Sequence, residues 1–239
     1  MGRQRPRILS RQHLQPRRPV GGLGRPGRPD PPSRATQEVS WQQARHWVFD
    51  MDGTLTLAVH DFAAIRRALD IPPEHDILEH LAALPPEQAA PKRAWLLEHE
   101  RELAAASRAA PGAVTLVRAL QRRGVRLGLL TRNAQELAVH TLQVIGLADC
   151  FAHADILGRD EAPPKPHPGG LLHLAQRWQV APQQLVMVGD YRFDLECARA
   201  AGACSVLVNL PENLWPELTD VFARDCSELL EHLETSVPS

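Results

Sequence analysis

The 239-residue chain has no apolar run approaching the roughly 18 residues that a membrane-spanning helix needs, so no membrane is expected among its partners. Cysteine is sparse. Cys150, Cys197, Cys204 and Cys226 show neither a CxxC pair nor a zinc-like spacing. They are expected to be reduced core residues of a cytoplasmic protein rather than a disulfide framework, and no thiolate metal site is expected. Eleven histidines form no HxxxH or HExxH constellation, no internal repeat is visible, and no apolar stretch follows the first arginines to make a secretory signal. Lysine is nearly missing: Lys92 and Lys165 stand against 25 arginines. With 44% hydrophobic and 23% charged residues, the fully disordered, collagenous and coiled-coil classes are excluded.

The net charge of -1 conceals an asymmetry. Residues 1–34 carry nine arginines against one acid, Asp30, and residues 35–239 therefore hold the acidic balance. The same segment has seven prolines, five glycines and no apolar periodicity, so residues 1–38 are expected to be a disordered tail. It reads first as a solvated extension or an over-long start. Nucleic acid enters only as a partner of this basic tail, and a transit peptide is disfavoured because the segment is neither amphipathic nor serine-rich.

From Trp41 onward, short apolar runs alternate with helical periods, which predicts an α/β fold with a parallel sheet. Buried strands are expected at Trp47 to Phe49, Val125 to Leu130, around Ile156 and Leu157, Leu185 to Val188, and 203–208. Asn133 and Glu136 resemble a capping box for the helix carrying Leu137, Leu142 and Ile145, and Asp225 with Glu228 is expected to cap a last helix from Ser227 to Leu233. Residues 58–110 have another texture: three helical stretches broken at Pro72-Pro73 and Pro85-Pro86, with no strand signal. The expected organisation is a Rossmann-like core over 39–57 and 111–239, with an inserted helical cap over 58–110.

Three predicted strands end in polar residues: Asp50 and Asp52, then Thr131, then Asp190 with Asp194 four residues on, while a proline-dense loop adds Lys165. In a parallel sheet these carboxyl ends share one edge, where ligands of open α/β sheets bind. Four carboxylates gathered there would repel by about 4 kcal/mol per bare pair at 4 Å and an effective dielectric of 20, so a cation must compensate them. Hard oxygen ligands without a Cys or His cluster point to Mg²⁺ rather than zinc. A metal, a hydroxyl, a lysine and paired acids describe phosphoryl transfer, with Asp50 as nucleophile and Asp52 as acid and base, its pKa raised by acidic neighbours.

Asp50-Met51-Asp52-Gly53-Thr54-Leu55, Thr131, Lys165 and Gly189-Asp190 with Asp194 resemble, in order, the four motifs of the haloacid dehalogenase superfamily. The likeness spans about residues 44–210 and is strongest to the capped phosphatases, which include phosphoglycolate phosphatases. It implies that Asp50 is nucleophile and metal ligand, that Asp52 is the acid and base and ligates Mg²⁺ through its backbone carbonyl, and that Asp190 is the third protein ligand. It further implies that Thr131 and Lys165 hold the phosphate and that Asp194 steadies metal-bound water or Lys165. The dehalogenases lack an acid at the position of Asp52, so a phosphate ester is the implied substrate. Tyr191 replaces a common serine, Arg132 replaces a smaller residue, and Gly169-Gly170 follow the proline loop. Arg132 is read as an extra phosphate contact or as a solvated neighbour of the site, and Tyr191 as a pocket residue.

Other candidates have plainer readings. His75, His80, His99, His140, His153, His173 and His232 read as surface or half-buried residues, with His167, beside Lys165, singled out for a supporting role. Trp95 and Trp178 read as packing. Arg66, Arg67, Lys92 and Arg93 read as a solvated face, or as recognition of an anionic leaving group. The expected function is Mg²⁺-dependent hydrolysis of a small phosphorylated metabolite through an aspartyl-phosphate. The alternatives are a phosphomutase, a phosphonate hydrolase using Lys92, or a non-catalytic binding protein with a basic tail.

Overall fold

Six short apolar runs pair into one parallel sheet. The computed structural model describes residues 40–235, so the readings of residues 1–38 as a disordered, polyanion-binding tail lie outside the described residues. The strands are β1 (His46–Phe49), β2 (Arg126–Leu130), β3 (Ile156–Leu157), β4 (Leu185–Gly189), β5 (Cys204–Leu207) and β6 (Val221–Phe222). The helices are α1 (Phe62–Ala68), α2 (Ile77–Ala83), α3 (Pro86–Ala105), α4 (Ala113–Arg122), α5 (Gln135–Val144), α6 (Gly169–Trp178), α7 (Arg192–Ala201) and α8 (Cys226–Glu234). The strand order is β3-β2-β1-β4-β5-β6. This is an α/β, Rossmann-like parallel sheet. Among the described residues no helix is long and apolar enough to cross a membrane, and all four cysteines are free.

Alternation along the strands builds two cores. Trp47, Phe49, Leu129, Val186 and Val188 pack with Leu116, Val117 and Leu120 of α4, Leu142 of α5 and Leu229 of α8. Val48, Leu130, Leu185 and Met187 point the other way, against Leu171, Leu174 and Trp178 of α6 and Cys197 and Ala198 of α7. Helices therefore cover both faces and leave the strand ends as the accessible rim.

The segment between β1 and α4 contains α1 to α3 and a small core of its own, made by Ile65, Leu69, Ile71, Ile77, Leu81 and Leu96. Asp61 caps α1 by accepting from Ala64 N, and Asp76 caps α2 by accepting from Glu79 N. The two ends of the insert are stitched together: Leu57 N donates to Arg108 O, Ala110 N donates to Leu55 O, and Thr56 pairs antiparallel with Ala109.

One local expectation changes, and two features add to the reading. α5 starts on Ala134, without a side-chain cap, because the Asn133 amide is drawn to Asp52 instead. β6 is a strand of two half-buried residues outside the expected set. α3 continues through Pro91. The last helix is capped as expected, with Asp225 accepting from Glu228 N at 2.9 Å.

Candidate active site

β1 lies at the centre of the sheet, with β2 on one side and β4 on the other. That is where the strand order reverses, the usual ligand crevice of a doubly wound sheet. Asp50 leaves β1 there, its backbone N held by Val188 O at 2.9 Å. Thr131 leaves β2, its N held by Leu157 O at 2.9 Å. Asp190 follows the last residue of β4, and Lys165 arrives from the loop between β3 and α6. Distant segments thus meet at one rim.

Lys165 is buried and donates to Asp50 Oδ1 at 2.5 Å and to Asp194 Oδ1 at 2.7 Å. Burial works against its charge, but the facing carboxylates of Asp194 and Asp50 prevail and hold the ammonium above its ordinary pKa. Asp194 is further fixed by Tyr191 N, which donates to its second oxygen at 3.1 Å. Thr54 donates to Asp190 Oδ1 at 2.9 Å and also reaches Asp50 Oδ2 at 3.3 Å. Two glycines permit this closeness. A Cβ on Gly53, which has φ +83°, would stand 2.3 Å from Asp190 Oδ2, and one on Gly189 would stand 2.2 Å from Asp194 Cβ.

Asp50, Asp190 and Asp194 bring ligand atoms within 4.8 Å of one another. Asp50, Asp52, Asp190 and Asp194 line one cavity, where, among the described residues, Lys165 is the one lysine bonded to them, through Asp50 and Asp194. The charge imbalance is visible in Asp190, pushed upward by burial first and then by Asp50 and Asp194. An all-oxygen donor set with surplus negative charge fits a hard divalent cation such as Mg²⁺.

Asp52 stands apart from this triad. Its Oδ2 accepts from Asn133 Nδ2 at 2.5 Å, and its Oδ1 faces His60 Nδ1 at 3.7 Å. Burial, followed by the Asp50 charge, pushes its carboxyl up to about 7. The expected rise is present, with burial rather than acidic neighbours as its main cause. Burial also holds His60 below the usual imidazole range, against the opposing pull of Glu100.

The cavity above, about 530 Å³, includes Phe62, Ile65, Arg66, Ile77, Leu96 and Glu100 from the insert, and Thr131, Arg132, Asn133, Tyr191 and Phe193 from the core. Thr131 is buried at its floor. Arg132, which also lines the cavity, is engaged elsewhere: Nη2 donates to Asp76 Oδ2 at 2.6 Å and its guanidinium lies 5.0 Å from the Phe193 ring centre. The side chain thus makes a contact with the insert. Tyr191 lines the cavity at its exposed edge.

Of the cations in the insert, Arg66 lines the cavity. Lys92 donates to Leu69 O and Arg93 to Leu81 O, where they satisfy helix-end carbonyls. His167 Nδ1 accepts from Gly169 N at the start of α6. Trp178 packs in the core as read, whereas Trp95 is exposed and stacks on His99. Sequence reasoning missed His60, Asn133 and Glu100. Glu100 is a buried acid on α3 held by both terminal nitrogens of Arg159 at 2.9 Å.

A family model for haloacid dehalogenase-like hydrolases matches residues 45–202. The chain belongs to this family of hydrolases. The hydrolase is 32% identical over 174 residues to a haloacid dehalogenase-like hydrolase domain-containing protein of Arabidopsis thaliana, covering 68% of this chain and 69% of that one. It is 42% identical over 88 residues to the phosphoglycolate phosphatase of Escherichia coli, a match that covers 37% of this chain and 34% of the bacterial protein. Its fold resembles the crystal structure of a hydrolase from Pseudomonas syringae, with a TM-score of 0.66, 23% identity, and coverage of 81% of this chain and 99% of that one.

Proposed function

We propose that this hydrolase is a Mg²⁺-dependent phosphatase that cleaves a small phosphorylated metabolite through an aspartyl-phosphate on Asp50. The observation that carries the proposal is the convergence of Asp50, Asp190 and Asp194 at one cavity, two of them, Asp50 and Asp194, bonded to the buried Lys165, with a separate half-buried acid, Asp52, beside them. Mg²⁺ would be held by Asp50, Asp190 and the Asp52 backbone carbonyl, and would supply charge neutralisation for the transferred group. Asp194 then keeps its place on Lys165.

Asp50 attacks phosphorus while the bond to the leaving oxygen breaks, and Asp52 gives that oxygen its proton. Asp52 next takes a proton from the water that cleaves the aspartyl-phosphate, which releases phosphate and restores both acids. Thr131 and Lys165 bind the phosphoryl oxygens. The cytoplasm is the compartment proposed for this activity. The partial match to phosphoglycolate phosphatase supports a phosphate ester as substrate class. Because Lys92 is engaged at the end of α1, the phosphonate-hydrolase reading loses its candidate lysine.

The test is phosphate release from a panel of phosphorylated metabolites with and without Mg²⁺. Activity is expected only with the metal and should fall by several orders of magnitude in Asp50→Asn. Undiminished hydrolysis by that variant would remove Asp50 as nucleophile.

A further inference from the structure

His60 is the last residue before Asp61, the cap of α1, so its imidazole is carried at the start of the insert while facing an acid of the core. Its side chain is 9% exposed, its ring lies nearly parallel to Phe62 with centres 5.5 Å apart, and Nε2 is buried without a hydrogen-bond partner. Nδ1 sits 3.7 Å from Asp52 Oδ1, too far for a hydrogen bond. A buried ring nitrogen without a hydrogen-bond partner is uncommon and calls for an explanation. Asn133 holds the opposite oxygen of the same carboxyl, so Asp52 is clamped from the core side and open on the insert side.

From this geometry we infer that His60 is a positioning residue for Asp52: when an ester fills the cavity, Nδ1–H closes on Oδ1 and, with Asn133, aims the acid at the leaving oxygen. This rests on the phosphatase reading above. His60 exchanges no proton in the step. The proton passes from Asp52 to the leaving oxygen as its bond to phosphorus breaks, and His60 only sets the direction. Facing a carboxyl, a neutral imidazole carries its hydrogen on Nδ1, which leaves Nε2 a bare lone pair, the less costly atom to bury unpartnered.

Leaving groups of different basicity test the inference, because p-nitrophenolate departs without protonation whereas phenolate is helped by it. kcat/KM is measured with Mg²⁺ on p-nitrophenyl phosphate and phenyl phosphate. His60→Ala is expected to lose about tenfold or more on phenyl phosphate and about twofold on p-nitrophenyl phosphate. His60→Asn, whose amide nitrogen can occupy the place of Nδ1, is expected to recover most of that loss. Equal losses on both esters, no loss on either, or an Asn variant no better than Ala would each overturn the role. A parent enzyme that turns over neither ester withdraws the phosphatase reading together with this one, an outcome recognisable because it appears before any substitution is made.

Discussion

Among single residues, the largest difference between expectation and structure concerns how one acid or cation is partnered. Arg132 illustrates it: a cation next to Thr131 is positioned to meet phosphate, yet it pairs with Asp76 and covers Phe193. Asp155 gives a prediction at this scale. It is buried and accepts from Arg177 Nε at 2.8 Å and from Arg126 Nε at 3.1 Å. Burial raises its pKa, but the two arginines outweigh burial and hold the carboxyl below its usual range. Asp155→Asn should therefore cost about 1.5–3 kcal/mol near neutrality, the scale of hydrogen bonds to charged groups. Since the folded value lies below the unfolded value of about 3.9, the ionic contribution is complete above that pH and fades as pH falls through the folded value. Urea unfolding at pH 7 and pH 3 should show the gap between parent and variant closing in acid. An equal gap at both would mean that charge is not its source.

At the scale of elements, α3 is tied to the loop after β3 through Glu100 and Arg159, both largely buried. Arg159→Ala would strand a buried carboxylate and should cost about 3 kcal/mol, whereas replacing both partners by methionine should restore most of the stability. Thermal unfolding of the two variants checks this, and a single variant within about 0.5 kcal/mol of the parent would contradict it. Five of the six strands and the polar residues at their ends could be read from the sequence, because buried runs such as Leu185 to Val188 and punctuation such as Gly189-Asp190 are local signals. β6 could not: it is as short as β3, but Val221 and Phe222 are only half-buried, where Ile156 and Leu157 are buried. The pairing of Asn133 with Asp52, 81 positions away, was hidden behind a plausible helix cap, and His60 had no partner nearby in the listing of residues to mark it. Glu100 looked like any acid on a helix until Arg159 was brought beside it.

For the whole molecule, the concentrated negative charge at the rim predicts how stability responds to metal. A divalent ion that binds the folded chain alone stabilises it by mass action, about 2.7 kcal/mol at a concentration 100 times its dissociation constant. For a chain of this size that is about 5–10 °C in Tm. Mg²⁺ should produce this rise where NaCl of equal ionic strength does not, and Asp190→Asn should abolish most of it. A Tm indifferent to Mg²⁺ would argue against the metal site.

The stitch between residues 55–57 and 108–110 has an architectural meaning. A detour that departs and returns through hydrogen-bonded neighbours transmits nothing of its own length to the strands beneath it. Descendants of such a chain can lengthen, trim or exchange everything between the two seams, and so acquire new clients, while the reacting floor keeps its dimensions.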